Sequence, residues 1–157
     1  MTTLAAVNAP PCRCAEVSIP AAADLVEAIA RVAANHAKEW APGGEGLCLP
    51  VTAAVCYTLA ANNVDYVRAA MGSFDGHAHW WTRAGSLIVD PTRAQFDAGP
   101  LICSVGDVRY EVEREIPPGW SAEHVVLEAV RAFEFADAGR LFGESLLELL
   151  RLVARSY

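Results

Sequence analysis

The sequence predicts an α+β domain, with helices at both ends of the chain and an antiparallel sheet between them. Two observations carry this reading: apolar residues recur at helical spacing before residue 62 and after residue 121, and in between they alternate with the two-residue period of strands. A third is that 157 residues, 54% of them hydrophobic, suffice for one packed core, and no polar tract divides them.

The elements follow in order. Residues 1–17 lack periodicity and contain Pro10 and Pro11, which predicts an irregular leader and assigns the domain proper to residues 18–157. From Ser18, just ahead of Pro20, Leu25, Ile29, Val32 and Ala33 outline an amphipathic helix that runs to Trp40, where Ala41-Pro42-Gly43-Gly44 stops it. A second helix opens at Cys48-Leu49-Pro50, continues through Val51, Val55 and Leu59, and closes at Asn62-Asn63, residues that tolerate left-handed geometry. Strands are expected at Val64–Arg68, His77–Arg83 and Ser86–Asp90, separated by Gly72–Gly76 and by Ala84-Gly85. Arg93–Phe96 reads as a short helical turn, Leu101–Ser104 and Val108–Glu113 as further strands, and Pro117-Pro118-Gly119 as their end. Ser121 then caps a helix through Val125, Val126, Ala129 and Phe133, and Gly143-Glu144-Ser145 opens a last, leucine-rich one.

Composition narrows the function. A net charge of -7 argues against nucleic acid as a partner, because phosphate binding needs clustered Lys and Arg. No run of about 18 apolar residues suggests a membrane span, and the expected setting is cytoplasmic. The five cysteines are odd in number and scattered, which points to reduced thiols; Cys12-Arg13-Cys14 lacks the CxxC spacing of a metal or redox motif.

One of these thiols stands where it could react. Proline is accepted only in a helix's first turn, so Pro50 puts Cys48 at or beside the cap, where unpaired amides and the helix dipole favour thiolate and can donate to a nearby oxyanion. Gly46 lets backbone and substrate approach closely, while Cys56 falls in the helix body and reads as core. A hairpin tip at Ala84-Gly85 would set His79 opposite Asp90, with Cβ atoms about 5 Å apart, so that the carboxylate orients one ring nitrogen and leaves the other for the thiol. His77 would be a diagonal neighbour of Asp90 and the alternative base.

Gly46-Leu47-Cys48 opening a helix, His79-Trp80-Trp81 on a strand and Leu87-Ile88-Val89-Asp90-Pro91-Thr92-Arg93-Ala94-Gln95-Phe96 together resemble the transglutaminase-like and papain-like toxin branches of the papain-fold cysteine enzymes. The likeness covers the middle third of the chain. It implies a papain-like fold, a thiol-dependent acyl transfer with no cofactor, and Cys48, His79 and Asp90 as nucleophile, base and orienter. Substrates would be peptides, proteins or small amides and esters. Where the papain branch carries a glutamine before the nucleophile, this chain reads Pro42-Gly43-Gly44-Glu45, so Trp40 or a backbone amide would complete the oxyanion site. Trp81 and Gln95 are further candidates for the substrate or oxyanion site.

Two other readings stand beside this one. An inactive relative could serve as a binding or assembly module, with Leu146, Leu147, Leu149, Leu150, Leu152 and Val153 sealing a homodimer or gripping a partner. His77, His79, Asp90 and a cysteine could instead hold a metal, although no metal-site spacing motif accompanies them.

Overall fold

The computed structural model describes residues 19–43, 45–117 and 120–157. Cys12, Cys14, the leader at 1–17, the start of the first helix at Ser18, Gly44 and the Pro118-Gly119 pair lie outside the described residues. The architecture is α+β: two helices, α1 (Ile19–Trp40) and α2 (Cys48–Ala61), precede a five-stranded sheet, and α3 (Ala122–Ala132) and α4 (Ala136–Ala154) follow it. The strands are β1 (Val67–Phe74), β2 (His77–Ala84), β3 (Leu87–Val89), β4 (Ile102–Ser104) and β5 (Tyr110–Ile116), ordered β4-β3-β2-β1-β5 and antiparallel throughout. The first four form a meander and β5 returns to the free side of β1.

The α2 helix is the centre of the core. Pro50 to Cys56, Thr58 and Leu59 are all buried, so this helix is apolar all round and packs against α1, α3, α4 and the sheet. It ends as expected: Asn62 caps it and Asn63 takes φ 62°, the left-handed geometry asparagine tolerates. The Cys56 sulfur, 3.4 Å from the Thr82 hydroxyl, is core, and burial pushes its thiol up to about 12.

Strand alternation divides the sheet into two environments. Val67, Ala69, Thr82, Ala84 and Val89 face the helices. The opposite face, with Ala70, Phe74, Trp81, Ile88 and Tyr110, is closed by Phe96 and Cys103 into a second, smaller cluster. The 3-10 turn Arg93–Gln95, anticipated as a helical turn, brings the chain across that face.

The first strand and the last helix differ from expectation. The first strand begins at Val67, after Tyr66 at φ 54°, and runs on through Gly72-Ser73-Phe74, which the sequence suggests is a separator; the turn is Asp75-Gly76 alone. Gly72 serves a bulge: the β1–β5 register shifts between Met71 and Gly72, and a Cβ there would sit 1.9 Å from the Glu111 carbonyl oxygen. The last helix starts at Ala136, not Gly143, because Gly139 and Gly143 lie inside it where it crosses α3; a Cβ on Gly139 would come within 2.4 Å of Val130 Cα. Of the leucines that could line a dimer seam, Leu146, Leu147 and Leu150 are buried in the chain's own core while Leu149 and Leu152 are exposed. Among the described residues, no helix is long and apolar enough to cross a membrane.

Candidate functional site

Cys48 is the first residue of α2. Leu47, the residue before it, makes no side-chain cap, and the Val51 amide is the first to return to a backbone carbonyl, on Leu47 at 3.0 Å. The Cys48 amide therefore precedes the intrahelical ladder, and the helix's first turn has no acidic residue to neutralise its positive end. Gly46, at φ 81°, turns the chain into this position. The Cys48 side chain is half-buried.

The imidazole comes from the sheet. His79 is buried, 2% exposed, on the same face as Trp81, with Phe96 edge-on at 4.8 Å and Trp81 at 5.9 Å between ring centroids. Its Nε2–H donates to Asp90 Oδ2 at 2.8 Å. Burial alone would lower the pKa of this ring; the hydrogen bond and charge of Asp90, together with those of the Cys48 sulfur, override it and raise the pKa from 6.5 to about 9. With Nε2 committed to Asp90, Nδ1 is the nitrogen left for the sulfur. Strand β3 pairs β2 only from Thr82 to Ala84, so the His77–Trp81 stretch has no ladder partner on that side. A ring on the second face can meet the start of α2 around this open edge.

The hairpin register corrects the sequence-based pairing. Arg83 faces Ile88 and Ala84 faces Leu87, so the turn is Gly85-Ser86 and every pair is displaced by two residues from the expected one. His79 and Asp90 are thus diagonal, not opposite. Because the displacement is even, both stay on one face, and the hydrogen bond spans the diagonal. His77 is corrected more fully: it is exposed, pairs with Phe74 at the strand's start and lies against Phe96 at 5.6 Å, with no bond to Asp90. That geometry leaves the metal reading without its fourth partner, and no group of three or more His, Cys, Asp or Glu side chains among the described residues could hold a metal ion.

Gln95 is brought to the site. Its Nε2 lies 3.5 Å from His79 Nδ1 and donates to the Thr92 carbonyl at 3.1 Å, placing the amide beside the ring nitrogen that Asp90 leaves free. Trp81 is 1% exposed and serves as a wall under His79, leaving no face for a substrate. Trp40 packs edge-on against Phe133 and Phe142 at 5.7 and 5.8 Å, and tilted on His36 at 6.2 Å, an aromatic junction between α1 and α4.

Asp90 has more partners than the sequence suggests. Besides His79, its Oδ2 accepts from the Tyr110 hydroxyl at 2.9 Å, and its Oδ1 accepts from Thr92 at 3.2 Å. Arg93, 1% exposed, donates from Nη1 to the Tyr110 oxygen at 3.5 Å and pairs through Nε with Asp97 at 2.9 Å. The guanidinium also lies 4.9 Å from the centre of the Phe74 ring. Thr92 and Arg93 belong to the segment the sequence singles out, but nothing local assigns them these partners. Tyr110 carries only the signal of an aromatic in an alternating segment. No family model, curated protein or solved structure matches the chain.

Proposed function

We propose that the protein is a thiol-dependent acyl-transfer enzyme of papain-like or transglutaminase-like type, with Cys48 as nucleophile, His79 as base and Asp90 as orienter. The observation that carries this reading is the buried His79–Asp90 pair, bonded at 2.8 Å, with the Cys48 sulfur acting on the same ring from the start of a helix. A ring whose pKa is raised to about 9, in part by the Cys48 sulfur, favours keeping the thiol's proton as an imidazolium beside a thiolate.

The reaction follows from these groups. His79 Nδ1 takes the Cys48 proton, the sulfur attacks an amide or ester carbonyl, and the carbonyl electron pair moves to oxygen. The Cys48 backbone N–H stabilises that oxyanion, and the Gln95 amide supplies a second donor. Collapse breaks the carbonyl–nitrogen or carbonyl–oxygen bond, His79 returns its proton to the leaving group, and a thioester to Cys48 remains. Water or an amine, deprotonated by His79, then attacks the thioester and frees the thiol. Asp90 keeps its bond to Nε2 throughout, which fixes the tautomer and steadies the charged ring.

Activity profiling with a panel of amide and ester substrates tests the proposal. Wild type should turn over at least one class and Cys48→Ala none; equal turnover by both excludes Cys48. Iodoacetamide gives a substrate-free measure. Cys48 should label much faster than Cys56, whose thiol is pushed up to about 12 by burial, and faster than Cys103, raised by burial and by Asp107.

A further inference from the structure

Asp90 lies in the interior, 1% exposed, and its side chain ends in a torsion with two broad, nearly equivalent wells. One bond to His79 does not choose between the two carboxylate oxygens or hold the chosen one. Two further donors do: Thr92, two residues on, takes Oδ1, and Tyr110, from the strand at the far edge of the sheet, takes Oδ2 at 2.9 Å alongside His79.

Tyr110 is itself fixed. Its ring packs against Phe74 at 4.7 Å and edge-on to Trp81 at 4.9 Å, and its oxygen accepts from Arg93 at 3.5 Å. With Arg93 donating to that oxygen, the hydroxyl proton is left for Asp90. The charged and titratable groups around this point are His79 and Cys48 on one side, and Arg93, with Asp97 behind it, and Cys103 on the other. The phenol stays neutral across the working range, since burial and the adjacent Asp90 charge both raise its pKa.

We propose that Tyr110 is a positioning residue of the candidate site, its hydroxyl holding Asp90 Oδ2 on His79 Nε2 so that Nδ1 stays aimed at Cys48. This rests on the thiol-enzyme reading above and adds to it a residue twenty positions beyond the acid. Tyr110 does not touch the reacting atoms; it acts through Asp90.

Tyr110→Phe removes the hydroxyl and keeps the ring packing, so the variant should retain the wild-type circular dichroism spectrum. In the full chain its Cys48 iodoacetamide rate at neutral pH should fall about tenfold, the loss of one charge-assisted hydrogen bond. The His79 pKa, followed by NMR of the ring protons, should fall as the carboxylate loosens. An unchanged or raised His79 pKa overturns the proposal, because a donor that only drains charge from Oδ2 would leave or strengthen the imidazolium on removal. In an Asp90→Ala background Tyr110→Phe should add no further loss; equal losses in both backgrounds make Tyr110 merely structural. Failure of the enzyme reading looks different: wild-type Cys48 would label no faster than Cys103, while the ring titration would still report the Tyr110 effect.

Discussion

A single carboxylate organises this site. Asp90 accepts from His79, Tyr110 and Thr92, and a buried acceptor stripped of its donors, or donors stripped of their acceptor, costs about 1–3 kcal/mol each. Asp90→Ala should therefore do two things at once: lower Cys48 alkylation and substrate turnover by on the order of a hundredfold or more, as an unsupported imidazole loses its tautomer and aim, and lower the chemical-denaturation midpoint. Normal turnover in a stable Asp90→Ala variant would count against the assigned role. Gln95→Ala separates the oxyanion role from general packing. If the amide donates to the developing oxyanion, kcat should drop about a hundredfold with little change in KM, measured by steady-state kinetics on whichever substrate the panel identifies.

At the scale of elements, glycines mark the places where backbones come close. Gly139 and Gly143 let α4 lie directly on α3, where a Cβ would meet Val130 Cα at 2.4 Å and Val126 Cα at 3.1 Å. Gly139→Ala should destabilise the fold by about 1–3 kcal/mol through overpacking against backbone that has no rotamer to yield, seen as a lower denaturant midpoint. Gly76 makes the contrasting control. It occupies a turn at φ 82° with nothing within 4 Å of where a methyl group would sit, so Gly76→Ala should cost only about 1 kcal/mol of backbone strain. Two glycines are where the sequence misled. A glycine in a chain pattern signals a break, yet Gly72 sits inside β1 and Gly143 inside α4, because in each case a neighbouring strand or helix leaves little room for a side chain.

Across the whole molecule, two buried histidines set opposite pH dependences. The His79 pKa is raised from 6.5 to about 9 in the folded chain, so the stability its charged form confers is complete below about pH 6.5 and is lost as pH rises through 9. His36, stacked on Phe142 at 5.3 Å and 2.8 Å from the Ser145 hydroxyl, has its pKa lowered, first by burial, with Glu39 and the Phe142 backbone opposing. Its neutral form is the one that fits between α1 and α4, so its contribution is present above pH 6.5 and is lost on acidification. Thermal melts across pH should lose stability on both sides of neutrality. His36→Gln should flatten the acid side alone and His79→Gln the alkaline side alone; any other pattern contradicts these assignments.

Features governed by short-range physics were legible in the chain before it folded. Proline and glycine punctuation ended α1, Pro50 set Cys48 at the head of α2, Asn63 took the left-handed turn after it, and Ser121 capped α3 by accepting from the His124 amide. Side-chain alternation was enough to place His79 and Asp90 on one face, and that parity survived a register two residues away from the expected one. Folding supplied the remainder. Which residues form the hairpin turn, whether His77 or His79 meets the acid, and that a tyrosine on the fifth strand shares its oxygen all depend on pairings between distant segments. Those pairings are fixed by the burial of whole faces, a free energy that no local stretch of chain contains.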